Sequence, residues 1–163
     1  MNLLVAYFTA TGVTARVAKK LADVTGAELY NICPAVAYST RDLDWTNSES
    51  RSSVEMKDKS FRPKLSDRWA PVANADIIFL GFPVWWYREP SVIDSFLEAY
   101  DFTGKKIIPF ATSGGSEIGE EAHARFAALT GAEILEGKKF AAGVSKEEVK
   151  IWADKMLDQA EGG

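Results

Sequence analysis

The sequence predicts a three-layer α/β/α sandwich built on a parallel sheet of about five strands. Two observations carry the prediction. Short apolar runs, each the length of a buried strand, alternate with segments whose apolar residues recur at helical spacing. The run at each strand end is cut by small, hydroxyl or Gly/Pro residues, the punctuation that separates strand from helix. A length of 163 residues, 47% hydrophobic and 26% charged, fits one domain over 1–163 with a core of its own.

Leu3 to Phe8 is a continuous apolar run that suits a strand buried on both faces. Thr9-Ala10-Thr11-Gly12-Val13-Thr14 breaks it. Val13, Val17, Leu21 and Val24 then recur at helical spacing, with Arg16, Lys19, Lys20 and Asp23 on the other face, and Gly26 stops the helix. Ala27 to Ile32 reads as a second strand, parallel to the first through a right-handed crossover. Residues 34–72 form a polar excursion; Arg41 to Lys57 has room for a helix capped by Ser39 or Thr40. Ala75 to Phe82 is the clearest central strand, ended by Pro83. Val92, Ile93, Phe96, Leu97 and Tyr100 mark a helix face, with Gly104 as its stop. Lys105 to Ala111 is the next strand, and a helix follows over about Glu120–Leu129. Residues 132–142 hold a weak last strand. Ser145 and Glu148 have capping-box spacing at the start of the final helix, whose stripe is Val149, Trp152, Met156 and Leu157.

Composition excludes several classes of chemistry. The lone Cys33 rules out an internal disulfide and a cysteine-based zinc cluster, and the lone His123 rules out a His-rich metal site. No metal site is expected. No apolar run reaches the ~18 residues of a membrane helix, and Met1 to Val5 lacks the basic start of a signal peptide, so no membrane and a cytoplasmic location are expected. The net charge of −4 argues against nucleic acid as a partner. Residues 1–82 carry 10 basic and 9 acidic groups, and residues 83–163 carry 9 and 14; that acidic half reads either as a solvated surface or as a face for a basic partner.

Three loops follow predicted strand ends: Thr9–Thr14, Pro83–Tyr87 and Thr112–Ser116. In an open parallel sheet, ligands bind on that edge where the strand order reverses. The first loop opens a helix, whose free N–H groups and positive dipole end suit a phosphate; Gly12 allows tight passage, and Thr9, Thr11 and Thr14 add hydroxyls. It has no lysine and no three-glycine pattern, so neither a nucleoside-triphosphate nor a dinucleotide loop is implied. It reads equally as a capped turn. The second loop sets Trp85, Trp86 and Tyr87 in a row, and three such side chains cannot all face inward. At least one is expected to serve as a platform for a planar group, against the alternative of packing on its own sheet. The third loop, Thr112-Ser113-Gly114-Gly115-Ser116, lets backbone approach a ligand closely. Together the loops describe a planar heterocycle carrying one phosphate.

These segments also resemble a known family. Val5-Ala6-Tyr7-Phe8-Thr9-Ala10-Thr11-Gly12-Val13-Thr14 is similar to the flavodoxin phosphate loop. Gly81-Phe82-Pro83-Val84-Trp85-Trp86, then Asp101 to Phe110 and Thr112 to Ser116, extend the match toward a short-chain flavodoxin-like branch. The resemblance implies strand order 2-1-3-4-5 and non-covalent FMN. It implies that Thr9, Ala10, Thr11, Gly12, Val13 and Thr14 hold the phosphate, that Pro83, Val84, Trp85 and Trp86 line the isoalloxazine, and that Thr112, Ser113, Gly114 and Gly115 line its other edge. The family usually has Asn where this chain has Val13, so one side-chain hydrogen bond is lost there.

The flavin would carry the redox chemistry, so no catalytic acid or base is required, and none stands out near the loops. His123 reads as a surface or packing residue and Cys33 as a structural thiol. Two roles follow: an electron carrier between redox partner proteins, or an oxidoreductase that takes hydride from NAD(P)H and reduces a quinone or similar small-molecule acceptor, with residues 34–72 covering its pocket. A non-redox ligand-binding protein on the same fold is the third reading. The aromatic loop is expected to disfavour negative charge on the reduced ring and so to lower the potential of the last reduction step.

Overall fold

Residues 1–112 and 121–162 are described by the computed structural model of the chain. In order they form β1 (Leu3–Tyr7), α1 (Val13–Thr25), β2 (Glu28–Asn31), α2 (Arg51–Lys57), β3 (Ile77–Pro83), α3 (Ser91–Ala99), β4 (Lys106–Thr112), α4 (Glu121–Thr130), β5 (Glu133–Ile134), β6 (Lys138–Phe140) and α5 (Lys146–Gly162). The sheet runs β2-β1-β3-β4-β5, all parallel, with β6 also paired to β4. This is the expected five-strand order, with the fifth strand split in two. No helix among the described residues is long and apolar enough to cross a membrane.

Alternation along the central strands builds two cores. Leu4, Ala6, Ile78, Leu80, Phe82 and Ile107 face α3 and α4, where Ile93, Phe96, Leu97 and Phe126 meet them. Val5, Tyr7, Ile77, Phe79, Ile108 and Phe110 face α1 and α5, meeting Val17, Leu21, Val149 and Trp152. Each such large side chain contributes about 1.5–3 kcal/mol on burial. Because both faces are covered, the central strands read as continuous apolar runs rather than alternating ones.

The split of the last strand follows from Pro109. Glu133 donates its N–H to the Lys105 carbonyl (3.1 Å) and Leu135 to that of Ile107 (2.9 Å), so the odd-numbered residues of β4 face the fifth strand. Lys106 donates instead to Asp76, on the β3 side (3.1 Å). Pro109 falls in the odd set and has no N–H to give. The fifth strand leaves the ladder opposite it, and pairing resumes as β6 beside Phe110 to Thr112.

Two helices are shorter than the sequence leaves room for, for a shared reason. The excursion helix starts at Arg51 rather than near Arg41, capped by Ser50. Before it, Asp42, Asp44 and Asn47 carboxyl or amide oxygens accept from the N–H groups of Ser39, Thr46 and Glu49 (2.9–3.1 Å). These local bonds compete with helix formation. Likewise α3 ends at Ala99, and Asp101 accepts from Thr103 N–H (2.9 Å) before Gly104 is reached. At the start of α5, Ser145 Oγ accepts from Glu148 N–H (3.1 Å), as its spacing predicts.

Gly81 pairs with Tyr7 on one side and Phe110 on the other, and the Phe110 ring lies across its Cα. A Cβ there would sit 2.1 Å from Phe110 Cζ. We therefore expect Gly81→Ala to cost ~1–3 kcal/mol in urea unfolding, as overpacking of a dense core does. A loss under about 0.5 kcal/mol would mean that the ring moves aside freely.

Candidate functional site

The β1–α1 turn is held by a hydroxyl and a left-handed glycine. Gly12 caps α1 with φ 97°, a conformation that a side chain would strain. Thr9 Oγ1 accepts from Gly12 N–H (3.0 Å) and from Ala15 N–H (3.4 Å). Arg16 N–H closes on the Gly12 carbonyl (3.2 Å). The amides of Thr11, Val13 and Thr14 meet no acceptor among the described residues. Thr14 is buried, and its Oγ1 lies 2.7 Å from Thr112 Oγ1, which ties the start of α1 to the end of β4. Val84 N–H donates to the Thr112 carbonyl (3.1 Å) and Phe8 N–H to that of Gly81 (3.0 Å), so the ends of β1, β3 and β4 are stitched together.

The aromatic loop is a two-residue hairpin. Trp85 and Arg88 exchange both backbone hydrogen bonds (2.9 and 3.1 Å), and the central pair, Trp86 and Tyr87, has φ of 49° and 65°. Both positive values define a type I′ turn, a geometry that Asn and Gly occupy easily. Bulky residues there store roughly 1–3 kcal/mol each. The three aromatics divide as a row of three must. Trp85 turns inward, edge-on to Phe8 (5.7 Å) and Tyr38 (5.3 Å), while Trp86 and Tyr87 are exposed. Pro83 and Val84 are half-buried beneath the turn. Trp86 and Tyr87 are therefore the loop's exposed rings, and Trp85 anchors it.

The excursion packs on this turn. Tyr38 also meets Phe8 edge-on (5.8 Å), Arg51 lies over the Tyr38 ring (3.9 Å), and the Tyr38 hydroxyl donates to Glu55. Burial and that carboxylate hold the Tyr38 phenol well above its ordinary range. Met56 reaches Ser91 at the start of α3, and Ser95 Oγ donates to the Pro63 carbonyl (2.7 Å). Trp86 consequently borders two cavities. One of about 260 Å³ is walled by Trp45, Thr46, Ser53 and Met56 of the excursion; the other, of about 430 Å³, opens toward α4.

Beneath the turn lies a charged cluster that periodicity did not reveal. Glu89 and Asp94 are fully buried, and Arg88 nearly so. Arg125 of α4 grips Glu89 with two bonds of 2.6 Å, and Arg88 Nη2 donates to Asp94 Oδ2 (3.3 Å). Burial works against ionisation of Glu89, but the Arg125 fork outweighs it and holds the carboxyl below its ordinary range. Asp94 goes the other way: burial, then the Glu89 carboxylate, push it up to about 9. Two acidic groups therefore do lie next to the loops. The one signal for Asp94 was its place between Ile93 and Phe96, inside a helix buried nearly all round.

Of the other candidates, Ser113, Gly114 and Gly115 lie outside the described residues. His123 Nε2 lies 2.9 Å from the Leu135 carbonyl, a packing contact. Burial, with the Asp67 charge, pushes the Cys33 thiol up, which disfavours a nucleophilic thiolate. No cluster of three potential metal ligands occurs among the described residues.

A family model described as Flavodoxin matches residues 2–156. No curated protein sequence matches the chain. Among solved structures, a candidate flavoprotein of Bacteroides uniformis is 44% identical, covers 94% of this chain and 97% of that one, and superposes with a TM-score of 0.88. A second, from Bacteroides eggerthii, is 39% identical over 96% and 98%, with a TM-score of 0.87. A flavoprotein of Lactobacillus acidophilus, solved in complex with FMN, is 20% identical over 93% and 98%, with a TM-score of 0.68, a likeness of fold.

Two outcomes follow from this geometry. Replacing Tyr87 by Gly removes left-handed strain from an exposed side chain, so Tyr87→Gly should stabilise the protein by ~1 kcal/mol in urea unfolding; a destabilisation would show that the ring contributes more than its backbone costs. Asp94 has its carboxyl raised on folding, so its contribution is complete below about pH 4 and is lost as pH rises toward about 9. Asp94→Asn cannot ionise, and its Tm should therefore fall less than that of the parent between pH 5 and pH 9. Parallel Tm curves would contradict the assignment.

Proposed function

The chain belongs to the flavodoxin family, and from that premise we propose that it binds FMN without a covalent link and carries electrons between redox partners. The observation that supports this most is a juxtaposition: a helix start with unengaged amides and an exposed tryptophan platform on the same sheet edge, stitched together through Thr112. Bound FMN supplies one- and two-electron redox chemistry. The chain's own residues bind and orient it. The amides of Thr11, Val13 and Thr14 and the hydroxyls of Thr9 and Thr11 suit the phosphate, with Ala10 and Gly12 forming the bend between them. Neutral donors at a helix start suffice for that anion. Pro83, Val84 and Trp86 suit the ring, with Trp85 holding the turn from below. Thr112 acts by joining Thr14 to the β4 end.

One observation favours a second reading, in which a nicotinamide donor and a small acceptor, a quinone for example, take the place of protein partners. Residues 34–72 wall Trp86 with a mainly apolar cavity, as a small-molecule reductase requires and a carrier does not.

Titration of the purified protein with FMN should quench flavin fluorescence to a one-to-one end point. Absence of quenching would exclude the flavin reading under either role. Anaerobic mixing of the loaded protein with NADH or NADPH then separates the roles: a carrier keeps its colour until a flavin reductase is added, and a reductase bleaches alone. Trp86→Ala should weaken FMN binding roughly 3–10-fold, the scale of one lost aromatic contact of about 0.5–1.5 kcal/mol. It should also raise the potential of the last one-electron reduction, measured by redox titration.

A further inference from the structure

The cavity on the α4 side of Trp86 is walled in part by an arginine whose donors the described residues engage only in part. Its wall includes Lys59, Trp86, Tyr87, Arg88, Glu121 and Arg125. Two of its three cations are already engaged: Arg125 grips Glu89 through both its Nε and Nη2 (2.6 Å each), and Lys59 lies 3.5 Å from Glu121. Arg88 differs. Its side chain is 8% exposed, and among the described residues its one bond is Nη2 to Asp94 at 3.3 Å, with Nε and Nη1 buried and unpartnered there. The partner carboxyl, buried beside Glu89, is itself driven toward its protonated form. A guanidinium taken out of water with donors left over is costly unless an acceptor arrives. Its planar fork matches an oxyanion such as a carboxylate.

We propose that this cavity binds a planar organic anion, its carboxylate held by Arg88 and its ring set against the exposed faces of Trp86 and Tyr87. The volume of about 430 Å³ lies within the ~300–1,000 Å³ of small-molecule sites. The strained turn is what makes the two contacts compatible. Positive φ at Trp86 and Tyr87 throws both rings outward, and the residue that follows them turns its side chain into the protein. Ring platform and buried cation thus come from three consecutive residues. The role of the site rests on the flavin reading above: it would seat an anionic electron acceptor beside the platform. Binding itself does not depend on that reading.

The test uses benzoate and its neutral isostere benzamide on the full chain, as purified and after saturation with FMN. Calorimetry should give benzoate a Kd at least tenfold below that of benzamide in both states. The Arg88 Nε–H resonance in a ¹⁵N spectrum should move with benzoate. Arg88→Met should abolish the preference and Arg88→Lys should restore part of it. If Arg88→Met does not fold, the benzoate–benzamide ratio and the Nε–H shift of the parent protein decide alone. Equal affinities, no benzoate binding, an unmoved Nε–H resonance, or expulsion of benzoate by FMN would each overturn the proposal. Failure of FMN to bind would sink the flavin reading and leave the benzoate result standing.

Discussion

Everything at the proposed ligand edge depends on β1 and β3 being neighbours whose following helices leave toward opposite faces. Tyr7 pairs with Gly81, and Phe8 N–H still reaches the Gly81 carbonyl (3.0 Å). One residue later the two chains part. The β1 chain turns into α1, on the face of Val17 and Leu21, and the β3 chain runs through the aromatic hairpin into α3, on the face of Ile93 and Phe96. That divergence opens a crevice no side chain has to be carved away to make. The hydrogen bonds through Thr14, Thr112 and Val84 keep its walls at fixed spacing.

Much of this was legible in the residues. Strand and helix periods located nearly every element, because strands covered on both faces leave uninterrupted apolar runs. The Thr9–Thr14 break announced a helix start, and three adjacent aromatics announced that at least one would be exposed. Other features were not legible. Which of Trp85, Trp86 and Tyr87 turns inward depends on Phe8 and Tyr38, and Tyr38 lies in a polar stretch without periodicity. The buried Glu89–Arg125 and Arg88–Asp94 pairs join residues up to 36 positions apart, and single-sequence patterns carry no information on such pairing. The shortened helices were hidden in plain view: Asp42, Asp44, Asn47 and Asp101 each had a local amide within reach.

The edge proposed to bind the ligand also gathers energetic costs. Two left-handed bulky residues, two buried carboxyls and a guanidinium with idle donors lie within ten residues of one another, Trp86 to Asp94. Elsewhere the chain follows local preference, with Gly26 closing α1 on the Ala22 carbonyl (2.9 Å) and Ser50 and Ser145 capping helices. Such concentration is characteristic of sites whose geometry is fixed by the surrounding core rather than by their own stability. Here the two hydrophobic layers supply that support.

The interruption that Pro109 imposes reaches beyond the strand beside it. A parallel sheet has two borders, and an unbroken border is a template on which another molecule can lay a strand and begin a fibril. On the far side of β4 the template comes in pieces of two and three residues, out of line with each other. The opposite border is four residues long. One imino acid, buried and chemically idle, thereby leaves that border without a continuous backbone template.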